Sequence, residues 1–249
     1  MISMANGTTK YHLNCKCYLL TTPKYIDPDG REIWLYQYDD EGKRIAELQY
    51  TPEMEYDGDN AYFASSIATL NQMNSVEIGG IVLGGLHGSE NVFGVTNQTA
   101  SIEGAHQFLE NSDGGGTMRM GGGFTLEGIA HEMFHGYQHE KGQGGASIFN
   151  EVEANLFGYS VAIQYAYDNV LPFGSATPMG RNNASGTTFQ NAFYNLHQSN
   201  TFPREHFDTA VQNFQSGSVK NATGSYRNYP LQRSNQGVPL ISRFYPLMR

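Results

Sequence analysis

His131-Glu132-Met133-Phe134-His135 sets two imidazoles four residues apart, with a carboxylate beside the first. On a helix, residues four apart point the same way, about one turn up the axis. Two such imidazoles can hold one Zn²⁺ at about 2.0–2.1 Å each. Glu132, one step round the helix, can then take a proton from a water activated by the metal. A zinc site that does chemistry needs a third protein ligand and an open position. Asn150-Glu151-Val152-Glu153-Ala154-Asn155 supplies two candidates. On a helix they point to opposite sides, so only one can bind. The face of Glu151 continues through Ala154, Asn155, Gly158 and Ala162, small residues that permit close approach to the first helix. The face of Glu153 continues through Leu156, Phe157 and Ser160, and Glu153 sits three after Asn150, the spacing of a capping box. Glu151 is therefore the expected ligand, with His131 and His135. Glu153 is expected to cap its helix.

The elements that must position these residues follow from periodicity. Leu126, Ile129, Ala130, Met133 and Tyr137 form one apolar stripe, which predicts a helix from Thr125 to His139. Gly128 shares the histidine face and leaves space over the site. A second helix is expected over 150–167, long and apolar on most sides, hence central. Residues 61–74, 189–197 and 204–214 also read as helices, and 183–186 as loop. Ile33 to Tyr38 and Arg44 to Tyr50 read as strands, and Asp29-Gly30 as a tight hairpin turn. Ile78 to Val95 reads as two short strands around Gly84-Gly85. Thr117 to Met120, just before the motif helix, is extended and could pair with a substrate main chain. The fold class expected is α+β.

The motif with Glu151-Val152-Glu153-Ala154-Asn155 resembles the gluzincin pattern of zinc metallopeptidases. The resemblance covers residues 125–160. It implies a zincin-like domain in which the motif helix packs on a second, ligand-bearing helix. It also places Asn155 where many members orient the first histidine. A rival alignment exists: Glu153-Ala154-Asn155-Leu156-Phe157-Gly158 resembles clostridial neurotoxin proteases and would make Glu153 the ligand. Lys24-Tyr25-Ile26-Asp27-Pro28-Asp29-Gly30-Arg31 resembles the close of the Rhs/YD-repeat core in bacterial polymorphic toxins. That implies residues 1–45 as a β-hairpin end of such a core and 46–249 as its peptidase, a toxin or effector with an immunity protein as partner. A gluzincin also needs a donor for the oxyanion. Tyr226 is the chosen candidate, with His197, His206, Arg227 and Tyr229 as others. Arg119 could line a substrate groove. The metzincin spacing is absent, since Gln138 and Lys141 stand where it needs Gly and His, so His139 reads as exposed or supporting.

Composition narrows the classes further. The chain has 249 residues with formal net charge -9 and no basic cluster, which argues against nucleic acid as a partner. It has no apolar run of about 18 residues, so no transmembrane helix is expected. The first residues lack a signal peptide, so any export is expected as part of a larger protein or by a dedicated secretion system. Cys15 and Cys17 make no disulfide framework. The function expected is zinc-dependent cleavage of a protein or peptide, with Glu132 as general base. The alternatives are an inactive binding or adhesion module, and a metal hydrolase of a non-protein link such as one in the cell wall.

Overall fold

Five strands form one mixed sheet in the order β2-β1-β3-β5-β4. They are β1 (Glu32–Tyr38), β2 (Arg44–Tyr50), β3 (Val92–Thr96), β4 (Gln107–Glu110) and β5 (Gly116–Arg119). The computed structural model describes residues 32–100, 106–121, 123–172, 180–199, 201–221, 224–233 and 237–248. β1, β3 and β5 run parallel, and the edge strands β2 and β4 run antiparallel to their neighbours. Alternation selects one buried face. Ile33, Leu35, Phe93, Val95 and Met118 are all fully buried and stand in register across the three parallel strands.

Helices cover that face. They are α1 (Ala61–Ser75), α2 (Glu77–His87) and α3 (Leu126–Glu140). Thr125 caps α3, its hydroxyl accepting the Gly128 N–H at 3.1 Å. The expected stripe is largely realised: Ile129, Ala130 and Met133 are buried. α4 (Ile148–Asp168) crosses behind α3, and Phe134 stacks on Phe157 at 4.6 Å. α5 (Ala184–Gln198) and α6 (Arg204–Gly217) pair with each other, and α6 also packs on α4. A 3-10 turn at Val219–Asn221 and the short α7 (Ile241–Phe244) follow. The fold is α+β, with seven α-helices among the described residues. No helix among those residues is long and apolar enough to cross a membrane.

Several local expectations need correction. Residues 77–87 form α2, where two strands were expected to begin, and only Val92–Thr96 of that stretch is a strand. The run Glu-Ile-Gly-Gly-Ile-Val-Leu-Gly-Gly-Leu-His is apolar on all sides, so no period distinguishes helix from strand. Its glycines serve packing: a Cβ at Gly85 would stand 2.7 Å from the Tyr137 ring of α3. α4 begins earlier than expected. Its N-cap is Ser147, whose hydroxyl accepts the Asn150 N–H at 3.1 Å. Asn150 is thus inside the first turn, and Glu153 forms no capping box. Asn183 is the N-cap of α5, so 184–186 are helical. The boundary expected at 45/46 falls within β2, in the same sheet as β3 to β5. The expected hairpin at Asp29-Gly30 and the segment Lys24 to Arg31 lie outside the described residues.

Candidate metal centre

α3 and α4 meet through small residues. A Cβ at Gly158 would stand 2.6 Å from the Glu127 carbonyl oxygen and 3.2 Å from the His131 backbone nitrogen. Glu151 lies two turns earlier on that face and so comes beside the histidines. His131 Nε2 is 3.0 Å from His135 Nε2, 3.4 Å from Glu151 Oε2 and 3.9 Å from Glu132 Oε1. His135 Nε2 is 3.6 Å from Glu151 Oε1. One ligand atom from each of His131, His135 and Glu151 falls within 4.8 Å of the others. The structure brings these three together, and Glu153 points away from them.

The donor set fits a metal cation. Glu151 Oε2 is buried with no hydrogen-bond partner, and His131 Nε2 approaches it to 3.4 Å. Two imidazole nitrogens and a carboxylate converge on one point, and a cation there would satisfy all of them. Two nitrogens and one carboxylate suit a divalent transition metal, zinc among them.

The electrostatics follow from burial and mutual charge. Burial holds His131 down to about 4. Burial would lower His135 too, but the charge of Glu151 and contact with it raise His135 to about 9. Burial would raise Glu151, yet the charge of His135 and contacts with both imidazoles bring it down to about 2. Burial pushes Glu132 up to about 7, against the lowering charge of His135. That is near the range where a general base is most effective. The Phe108 backbone on β4 also hydrogen-bonds the Glu132 carboxylate.

The loop carrying Tyr226 folds back over this centre. The Ile148 and Phe149 N–H groups, free at the start of α4, donate to the carbonyls of Pro230 and Leu231 at 2.8 and 3.0 Å. Gln215 on α6 donates to the Tyr226 and Tyr229 carbonyls at 2.9 and 3.0 Å. Tyr226 stands edge-on to Phe214 and Tyr229, each at 5.3 Å. Burial, then the charges of Glu151 and Glu132, hold the Tyr226 phenol far above its ordinary range, and its hydroxyl faces Glu151. Tyr229 is raised by burial and the same two carboxylates. Arg227 is exposed on the outer side of the loop.

Other candidates fall elsewhere. His139 Nδ1 lies 3.4 Å from Glu110 Oε1 and its ring packs near Phe108, so it ties β4 to α3. His206 sits in the first turn of α6, nine residues before Gln215. The side chain of His197 lies outside the described residues. Arg119 lines a cleft of about 350 Å³ with Tyr38, Asp39 and Asn97, none of which belongs to the centre. Asn155 Nδ2 donates to the Glu151 carbonyl at 2.8 Å, a bond within its own helix. β5 lies between β3 and β4 and is paired on both sides, so Thr117 to Met120 has no free edge for a substrate strand. The edge strand beside α3 is β4.

Three neighbours escape the sequence reading. His106 fills the space that Gly128 was expected to leave, since a Cβ at Gly128 would stand 2.6 Å from its ring. His106 Nδ1 is buried without a partner, and burial, then Lys220, lowers its pKa. Lys220 Nζ lies 3.4 Å from Glu127 Oε1 and its charge also reaches His131 and Glu132. Gln138 Oε1 lies 2.8 Å from His135 Nδ1. Only Gln138 had a readable signal, its place three residues after His135 on one helix.

Compared with known proteins, the chain matches no protein-family model, no curated protein and no solved structure.

Proposed function

We propose that the chain is a zinc-dependent endopeptidase. One observation carries the reading: His131, His135 and Glu151 converge with an unsatisfied carboxylate oxygen, and the buried Glu132 stands beside them. Zinc held by those three residues would supply Lewis acidity to a carbonyl and lower the pKa of a water. Glu132, held near neutrality by burial, accepts the proton of the attacking water and returns it to the leaving amine. Tyr226 keeps its proton and donates it as a hydrogen bond where negative charge develops. β4 offers its outer edge to an extended peptide by main-chain pairing, with its Phe108 backbone already beside Glu132. A purely structural site is closed by four protein ligands and has no use for Glu132. The resemblance of Lys24 to Arg31 to the end of an Rhs core supports a toxin or effector role, with an immunity protein as partner.

The test is hydrolysis of a fluorescently labelled unfolded protein by the purified chain, with metal content measured in parallel. We expect chelator-sensitive cleavage and about one Zn²⁺ per chain. Glu132→Gln should keep the metal and lose about 10²–10⁴-fold in turnover. Undiminished turnover in that variant would refute the assignment.

A further inference from the structure

His135 has two ring nitrogens, and only Nε2 faces His131 and Glu151. Its Nδ1 lies 2.8 Å from Gln138 Oε1. Gln138 is fully buried, so its amide must find its partners inside the protein. Gln138 Nε2 lies 3.0 Å from Glu153 Oε2 and 3.3 Å from the Asn150 carbonyl oxygen. A carboxylate and a carbonyl only accept, so the NH₂ end must face them. Oε1 is then left to accept from His135, which puts a proton on Nδ1. In the neutral ring, Nε2 keeps its lone pair and directs it toward His131 and Glu151. Glu153 is itself fixed. Its Oε1 accepts the Ile241 N–H at 3.1 Å, and Arg233 Nη1 lies 3.5 Å from Oε2.

We propose that Gln138 is a positioning residue for the metal centre: oriented by Glu153, it fixes the ring and tautomer of His135 so that Nε2 is the ligating nitrogen. This rests on the reading of His131, His135 and Glu151 as metal ligands. The hold on His135 thus comes from its own helix, three residues on, and is anchored across α4 on the side opposite Glu151. Such partners set ligand orientation and basicity in metal sites generally. The hydrogen-bond direction is set by the network, since a reversed amide would turn its oxygen on two acceptors.

The test uses the full chain and zinc alone. Zn²⁺ affinity is measured by chelator competition, and the His135 Nδ1–H is followed by proton NMR in metal-free protein labelled with ring-¹⁵N histidine. Wild type should show a slowly exchanging Nδ1–H. Gln138→Met fills a similar volume without an acceptor. It should weaken zinc about 10–100-fold and abolish the protected signal, with cooperative thermal unfolding retained. The double exchange Gln138→Glu with Glu153→Gln restores the chain in reverse: a carboxylate at 138 accepts from Nδ1–H, and an amide at 153 donates to it. It should recover both the signal and most of the zinc affinity, which mere filling of space would not, and it carries the test if Gln138→Met does not fold. Unchanged affinity and signal in Gln138→Met, or an exchange that recovers neither, would overturn the proposal. A wild type that binds no zinc yet loses the protected signal in Gln138→Met counts against the metal reading and for the hold on His135.

Discussion

Glu151 and Glu153 stand two residues apart on α4, are both buried, and live in opposite surroundings. Glu151 faces two imidazoles, and its Oε2 has no donor. Glu153 faces donors on every side: Gln138 Nε2, the Ile241 N–H and the Arg233 guanidinium. Charge alone does not distinguish a ligand from a structural acid. A carboxylate with both oxygens met by donors is already satisfied, whereas Glu151, whose buried Oε2 lacks a donor, leaves a place for a cation. The difference extends to protonation. Burial opposes both charges, yet His135 brings Glu151 down to about 2, while Glu153 rises to about 7 despite Ile241 and Arg233. The rival alignment would have to turn Glu153 away from Gln138, the Ile241 N–H and Arg233.

The strongest way to break this comparison is Glu151→Gln. It should remove zinc binding outright while the protein still unfolds cooperatively. Zinc retained by Glu151→Gln and lost by Glu153→Gln would reverse the roles. Next in size is Glu153→Ala. Breaking one side of a buried pair typically costs about 3–5 kcal/mol, because the partner charge is left uncompensated. A helix cap would cost only about 0.5–2 kcal/mol. Urea unfolding separates the two, and a loss in the lower range would mean that Arg233 is content without Glu153. Arg233 also donates to the Val238 carbonyl at 3.1 Å and lies over the Phe149 ring at 4.5 Å, contacts that Glu153→Ala leaves in place.

Tyr226 sharpens the Glu151 side. Tyr226→Phe keeps the ring on Phe214 and Tyr229 and removes only the hydroxyl. If that hydroxyl stabilises developing charge, turnover should fall about 10²–10³-fold, or about 2.7–4 kcal/mol, with zinc affinity little changed. Equal losses of zinc and turnover would instead make the hydroxyl a support for Glu151.

How far these surroundings were legible in the sequence depended on locality. The α3 helix was legible because its apolar stripe is carried within one segment. The opposite orientation of Glu151 and Glu153 was legible from helix geometry alone, as was the small face ending in the Gly158 contact. The start of α4 was misread because Asn150 offers a second cap-forming residue three positions after Ser147, the residue that caps it. α2 was misread because glycine and apolar residues there show no period. Lys220, His106 and Arg233 could not be read at all. Lys220 meets Glu127 across 93 residues and Arg233 meets Glu153 across 80, and no local pattern encodes such meetings. Gln138 was within reach, since a glutamine three residues after a ligand histidine shares its side of the helix.

The most gradual effect expected is a pH dependence on the Glu153 side. Burial raises Glu153 from 4.5 to about 7 against Ile241 and Arg233. The folded protein therefore binds that proton more tightly than the unfolded chain does. For a group raised in this way, the contribution to stability is fully present below about pH 4.5 and is lost as pH rises through about 7. Glu153→Gln cannot titrate, so the stability of wild type relative to that variant isolates the effect. The difference should shift against wild type between those two values, by at most about 1.4 kcal/mol per pH unit. Both proteins are unfolded in urea with a chelator present, which keeps zinc linkage out of the comparison. A difference that stays flat from pH 4.5 to 7 would mean that Arg233 holds Glu153 ionised throughout. The two carboxylates of α4 would then be alike in charge and would differ only in whether protein donors or a metal answer it.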